Sequence, residues 1–557
     1  MQELFKDLYD EWFANSNYWF SKTVENDKYL SDKYFSKLYT DTNIINCLKH
    51  CDKRTIMGAI IAFDQIPRHY NRLCPIDCST YSHIAKDISS ILIINGDVSI
   101  IEEMTSTDWC FAFLPFRHLK DIKCINSSIE FINFKFKSAQ NKPSDKAIYK
   151  RFLRCAIRDV YKTNTKQQLE TQQNKNISDN QSNWDLFKDI LENNPFDKLS
   201  TNIENYPEKD IIKNIYNVSN FININMHIIV SVSGGVDSFV CLHMLKLIFP
   251  NYKITAVHIN YNNRKECDKE VEFVKAYCDL LKVKLYHRKI IELKRNDCQN
   301  NGLRALYEDA TKEIRFDTYR QVAKIYDNQS FVVVLGHNKD DCFENIITNI
   351  SMKTNYENLC GMSKHTVNDN ICFVRPLLDV RKKDIIKYAN CMNIPYLQDS
   401  TPKWSMRGKI RDCVLPNMEK INVDITGSFF ALKGRIEEIE NVIDKYVLPN
   451  TLKHFVVEKD KMFGKFKIDE LLEEGNIWSK VFEHETFRKF LSCNVSHKCI
   501  CEFSELIIRF KKDYARMREK NIFNSKIKFI IRKHVHSVIY RTKDDMICIC
   551  FCKNTED

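Results

Sequence analysis

One short segment restricts the possible folds of this chain more than any other. It is Ser231-Val232-Ser233-Gly234-Gly235-Val236-Asp237-Ser238, set between an apolar run, His227–Val232, and an amphipathic stretch, Asp237–Leu247. Adjacent glycines let the backbone turn tightly and approach a ligand closely. Ser233 and Ser238 add hydroxyls, and the free N–H groups at the start of the next helix favour an anion. The spacing is neither that of a Walker A loop nor the dinucleotide-binding GxGxxG. A strand, a phosphate-type loop and a helix in succession point to an α/β sheet with a nucleotide at its edge.

The surrounding pattern agrees. Ile254–Ile259, Lys284–Ile290 and Phe331–Leu335 read as strands, and Val271–Leu281, Glu308–Tyr326 and Asp341–Ile350 as helices. Strand–helix alternation predicts a doubly wound parallel sheet, and short continuous apolar strands fit burial on both faces. We place this α/β domain at 226–425. Residues 1–165 carry apolar residues at helical spacing, as in Phe5, Leu8, Trp12 and Phe13, and predict an all-α domain. Residues 166–225, rich in Gln, Asn, Ser, Lys and Thr near their start, predict a polar linker. Residues 426–557 predict a mixed α+β region, with strands over Lys526–Ile531, Val535–Tyr540 and Met546–Phe551. A multidomain chain also suits the length, 557 residues at about 150 per domain.

The 22 cysteines include no CxxC. Close spacings such as Cys47/Cys51, Cys74/Cys78, Cys499/Cys501 and Cys548/Cys550/Cys552 read as small hydrophobes embedded in strands rather than metal ligands. The opening MQELFKDLYDEWF is acidic where a secretory leader is basic. No stretch reaches the ~18 apolar residues of a membrane span. The expectation is a cytoplasmic chain with free thiols and no membrane partner. The net charge of +11 is mild for this length and matters only where it clusters. From Arg509 to Lys543 twelve basic residues meet only Asp513 and Glu519, with Tyr514, Phe523, Phe529 and Tyr540 interleaved, an electrostatic footprint suited to RNA.

The loop SGGVDS resembles the pyrophosphate loop of the N-type ATP pyrophosphatases, which cleave ATP to AMP and pyrophosphate and adenylate an oxygen of their substrate. Further segments are similar to the tRNA(Ile)-lysidine synthetases within that group. They are Gly336-His337-Asn338-Lys339-Asp340-Asp341-Cys342-Phe343-Glu344, Arg375-Pro376-Leu377-Leu378-Asp379, Ile394-Pro395-Tyr396 with Asp399-Ser400, Arg407-Gly408-Lys409-Ile410-Arg411, and Leu303–Phe316. The resemblance runs from about 226 to 425. It implies an ATP-dependent ligase that adenylates a cytidine C2 oxygen in a tRNA anticodon and joins lysine to it. ATP would be held by Ser231, Ser233, Gly234, Gly235, Val236, Asp237, Ser238, His258, Gly336 and His337, with Asp237 near Mg²⁺. Asp237, Asp340, Asp341 and Glu344 would be catalytic. Arg315, Arg375, Arg407, Lys409 and Arg411 would meet RNA or substrate.

Asn338, Gly408, Lys409 and Tyr261 depart from the family pattern. They leave open another nucleophile, sulfur or a different amine, and a non-catalytic RNA-binding protein with a relic loop. From the residues alone, three carboxylates at a strand's carboxyl end can hold Mg²⁺ or an amine, and Asp340 can equally be a helix cap.

Phe63-Asp64-Gln65-Ile66-Pro67-Arg68 and Phe113-Leu114-Pro115-Phe116-Arg117-His118 resemble a bacterial family of unknown function with a tetratricopeptide-like helical fold. That resemblance implies a fold and no chemistry. Arg68, Arg72, Arg117 and His118 are candidates for an anion or RNA surface; Asp64 and Arg68, four apart, can instead simply pair on a helix.

Overall fold

The computed structural model describes the chain apart from residues 21–22, 39–43, 96–97, 139–142, 174–184, 203–205, 207–208, 301–302, 328–329, 352–359, 399–405, 492–494, 524–525, 533–534 and 554–557. The Asp399-Ser400 segment lies outside the described residues. The chain divides into two compact units. One comprises Met1–Gly336, His365–Leu377 and Lys383–Gln398. The other comprises His337–Lys364, Leu378–Lys382 and Asp399–Asp557.

The first unit opens with helices, as expected. Helix α1 (Lys53–Asp64) is buried from Thr55 to Asp64 and forms the centre of the helical region. Asp52 caps it by accepting from Thr55 N at 2.9 Å. The Gln2–Ala14 helix crosses it so closely that a methyl on Gly58 would sit 1.9 Å from the Phe5 carbonyl oxygen. Next come α2 (Ile66–Leu73), α3 (Ser106–His118) and α4 (Pro143–Gln173). Thr105 and Asp108 form a capping box at the start of α3.

The sheet of this unit contains β1 (His227–Ser231), β2 (Ile254–Asn260), β3 (Lys284–Lys289), β4 (Phe331–Leu335), β5 (His365–Asn368) and β6 (Ile371–Val374), in the order β3-β2-β1-β4-β6-β5. All pairings are parallel except β5 with β6. That hairpin turns at Asp369 and Asn370, both at positive φ, the conformation a two-residue hairpin requires. The strand order reverses direction between β1 and β4, which opens a crevice beyond their carboxyl ends. Helix α5 (Val236–Ile248) follows β1, and α6 (Arg304–Ile325) precedes β4.

Within the span 166–225, expected as a polar linker, the described residues include helical segments. Helix α4 runs through Gln173. Its Gln168 carboxamide accepts from Lys289 N at 2.9 Å and donates to Lys289 O at 3.0 Å. Gln172 does the same with His287, at 2.8 and 2.7 Å. Two glutamines one helical turn apart thus occupy two successive outward-facing backbone positions of edge strand β3. Beside them the buried Arg288 pairs with Glu292, which also accepts from Asn164 at 2.9 Å. Further on, Phe187 and Phe196 pack on Phe273, and Ile211 and Ile215 are buried. Over 166–173 the polar side chains serve the sheet edge; the rest of the polar stretch, 174–184, lies outside the described residues.

The second unit carries α7 (Lys339–Ser351), α8 (Ile425–Val442) and an antiparallel sheet of β7 (Phe455–Glu458), β8 (Lys461–Phe466), β9 (Ile527–Arg532), β10 (Val535–Arg541) and β11 (Ile547–Lys553), ordered β7-β8-β11-β10-β9. Ile547, Ile549 and Phe551 point into a core with Trp478, Phe482 and Phe503, while Cys548, Cys550 and Cys552 alternate with them along the strand. The described cysteines are all free thiols. Among the described residues no helix is long and apolar enough to cross a membrane.

Candidate active site

The loop after β1 is held by its own hydroxyls. Ser238 Oγ accepts from Ser233 N at 3.1 Å and donates to Gly235 O at 2.9 Å, and it lies 3.2 Å from Ser233 Oγ. Ser233 Oγ accepts from Gly235 N at 3.3 Å. Gly234 sits at φ +89°, where a side chain is strained. Its carbonyl accepts from Leu397 N at 2.9 Å, so the Ile394-Pro395-Tyr396 segment leads directly onto the loop. Gly336 closes the same cradle. A Cβ there would stand 2.9 Å from Ser238 N and 3.0 Å from the Asp237 carbonyl. Both are backbone atoms with little freedom to yield. Asp237 lies in the first turn of α5.

Two other predicted ligands have supporting roles in this arrangement. Ser231 Oγ accepts from the buried Tyr319 hydroxyl of α6 at 2.9 Å, so this hydroxyl anchors the end of β1. His258 is buried, and its Nδ1–H donates to Val232 O at 2.8 Å. Burial pushes its pKa down to about 4, so the ring is neutral near pH 7. Arg315, one turn before Tyr319 on α6, is half-buried, and its Nε has no hydrogen-bond partner among the described residues. Arg375 is buried and donates to Thr366 Oγ1 at 3.1 Å.

In the second unit the carboxylates divide their tasks. Asn338 and Asp341 form a reciprocal cap at the start of α7: Asp341 N donates to Asn338 Oδ1 at 2.9 Å, and Asn338 N donates to Asp341 Oδ2 at 3.1 Å. The cap is therefore Asn338, not Asp340. Asp340 accepts from Lys382 N at 2.7 Å and lies 3.4 Å from Arg381 Nε. Glu344 is buried, with Oε1 2.8 Å from Arg411 Nε. Its Oε2 has no hydrogen-bond partner among the described residues. Burial raises its pKa, and the guanidinium of Arg411 offsets part of that rise. Arg407 acts on the same carboxyl through its field. Lys409 is exposed.

Sequence reasoning missed Tyr319, Leu397 and Arg381. No local signal marks them, because each reaches its partner across the fold. The Asn338/Asp341 cap was missed as well, the sequence reading having placed a cap at Asp340, although its i, i+3 spacing is that of a capping box.

The cradle suits a polyphosphate, with backbone N–H groups at a helix start and a glycine allowing close approach. Among the described residues no group of three His, Cys, Asp or Glu could hold a metal ion. Mg²⁺ ordinarily takes one or two carboxylates together with substrate phosphates. Asp237, beside the cradle, fits that requirement.

Residues 207–418 match the family described as the PP-loop domain. The tRNA(Ile)-lysidine synthase of Borreliella afzelii (strain PKo) is 29% identical over 328 residues, covering 56% of this chain and 70% of the relative. That of Staphylococcus aureus (strain MRSA252) is 26% identical over 333 residues, covering 53% and 74%. Among solved structures, the U34-tRNA thiolase NcsA from Methanococcus maripaludis aligns at 16% identity with a TM-score of 0.34, covering 41% of this chain and 79% of that one. Residues 207–418 thus match the PP-loop domain, and over the aligned stretches the chain is similar to the tRNA(Ile)-lysidine synthases.

Proposed function

We propose that this protein is an ATP-dependent tRNA-modifying ligase that makes lysidine. The observation that carries the reading is the Ser233–Ser238 cradle closed by Gly336, in a chain homologous to lysidine synthases over that domain. Its backbone N–H groups hold the leaving pyrophosphate and stabilise the charge that develops there. Asp237 would hold Mg²⁺, which would supply further neutralisation of the phosphates.

The cytidine C2 oxygen attacks the α-phosphate, forming an oxygen–phosphorus bond and releasing pyrophosphate. The base must leave its stack for this, which an anticodon loop makes cheap. The lysine amine then bonds to C2, the C2–oxygen bond breaks, and AMP departs. Glu344 takes the amine proton. A carboxyl with a raised pKa and one unengaged oxygen is suited to that step. Asp340 and Asp341 hold the Arg381–Lys382 turn and the start of α7, and so orient Glu344 more than they contact substrate. Neutral His258 and Ser231 support the loop, and His337 is a further candidate for the nucleotide. Arg407 and Arg411, with Arg315, Arg375 and Lys409, meet RNA or the adenylate. The exposed Arg509, Lys512, Arg516, Lys520, Lys526 and Lys528 supply non-specific tRNA affinity. Arg541 does not join them, because it is buried in an ion pair with Asp545.

Sulfur transfer finds no support in the thiols. Burial raises the Cys360 pKa to about 11, so it is not a thiolate near neutral pH. The test is pyrophosphate release with tRNA and lysine each added or withheld, followed by mass analysis of the nucleosides. Release that requires both, with lysidine in the digest, is the expected result. Release with tRNA but without a lysine adduct overturns the choice of nucleophile.

A further inference from the structure

Two segments of the helical region, Phe63–Arg68 and Phe113–His118, take no part in the ATP chemistry. The fold brings them together. His118 Nδ1 lies 2.9 Å from both Oδ1 and Oδ2 of Asp64, 54 residues away. Gln65 also donates to Asp64 Oδ2. Arg68, one turn further along, donates to Ser82 Oγ at 2.8 Å and stands 3.5 Å from Asp64 Oδ1. Its Nε is buried with no hydrogen-bond partner among the described residues. On the next turn of α2, Arg72 Nη1 donates to Asp27 Oδ1 at 2.7 Å. That same oxygen lies 2.6 Å from His69 Nδ1.

The simple Asp64–Arg68 helix pair is thus the weakest contact of a larger arrangement. Its layering is specific. The side chains of Asp64 and Asp27 are 1% and 4% exposed, whereas those of His118, Arg68 and Arg72 are 19%, 27% and 34% exposed. Asp64 lies behind His118 and Arg68, and Asp27 lies behind Arg72, one turn further along α2. Burying carboxylates costs more than an apolar core of the same shape, but it fixes the direction of each donor in advance. Arg117 is not part of the cluster, because it pairs with Asp159 on α4 at 2.5 Å.

We propose that Arg68, Arg72 and His118 form a binding site for a phosphate group, separate from the PP-loop cradle. Arginine donor forks match phosphate oxygens. With Asp64 holding Nδ1–H, the imidazolium form of His118 donates its Nε2–H to the anion. The phosphate belongs to a small phosphorylated molecule or to RNA.

The test uses the full chain with nitrogen-15-labelled histidine and follows the His118 Nε2 resonance. This readout is blind to phosphate bound at the PP-loop. Inorganic phosphate is titrated against chloride at equal ionic strength, then bulk tRNA is added in a separate arm. A saturable shift with phosphate, weakened at least tenfold in Arg68→Gln and less in Arg68→Lys, is expected, with Ser233→Ala unchanged. A response to phosphate identifies small-molecule phosphates, and one to tRNA alone identifies the RNA backbone. The proposal is overturned if His118 is silent to both, or if Arg68→Gln responds like the parent. Should Arg68→Gln fail to fold, Arg72→Gln carries the same comparison.

Discussion

Arg411 Nε lies 2.8 Å from Glu344 Oε1 across 67 residues of sequence, and it is the guanidinium that tempers a buried carboxyl in the proposed ligation step. Burial raises the Glu344 pKa and Arg411 lowers it. Removing the cation in Arg411→Ala leaves the burial effect opposed only by the weaker field of Arg407. The acid limb of the pH–rate profile is expected to move to higher pH, and Arg411→Lys to restore part of the shift. An unmoved limb would separate Glu344 from the proton transfer.

Glu344→Gln separates catalysis from stability. A carboxyl whose folded pKa is raised binds more protons folded than unfolded, so its ionisation costs stability as pH rises through that range. The neutral isostere removes this cost. Lysidine formation is expected to fall on the order of 100-fold or more, while the melting temperature at pH 8 holds or rises.

Gly336→Ala and Gly235→Ala form a paired test of the cradle. An added methyl at 336 meets backbone at 2.9 and 3.0 Å, whereas at 235 the nearest atom is Ser233 Oγ at 3.5 Å. Gly336→Ala is expected to displace the loop and to raise the apparent KM for ATP about tenfold, a loss of about 1.4 kcal/mol. It should also lower the melting temperature. Gly235→Ala should leave the melting temperature unchanged, which differential scanning calorimetry will show.

The glutamine clamp on β3 predicts a local effect. Replacing both Gln168 and Gln172 by Ala removes four hydrogen bonds to the backbone of His287 and Lys289. Each such bond contributes about 1 kcal/mol net. The amides of those two residues should lose hydrogen-exchange protection before the rest of the sheet. The bare edge should also promote self-association, seen by light scattering.

Acid should destabilise the first unit through buried neutral histidines. His227, His243 and His258 are each pushed down to about 4 by burial. Between pH 6.5 and 4 the unfolded chain takes up protons that the folded state refuses, so stability falls as pH falls. His243→Gln, which can keep a contact toward Tyr388 or Ser200, should flatten this dependence in thermal melts across that range.

The parts that the sequence determined by itself are those built from local pattern. Apolar runs gave away β1, β2 and β4 almost to the residue, because a buried strand needs only contiguous apolar side chains. The phosphate loop was legible because two glycines, two serines and an aspartate within the six positions 233–238 suit one backbone task. The tertiary structure decided the rest. Tyr319 meets Ser231 across 88 residues, Gln172 meets His287 across 115, and Asp64 meets His118 across 54. A polar side chain's partner is set by which elements pack together, and no periodicity in the chain encodes that choice. Hence a glutamine-rich stretch that reads as a tether closes a sheet edge, and two motifs with no common spacing share one buried carboxylate.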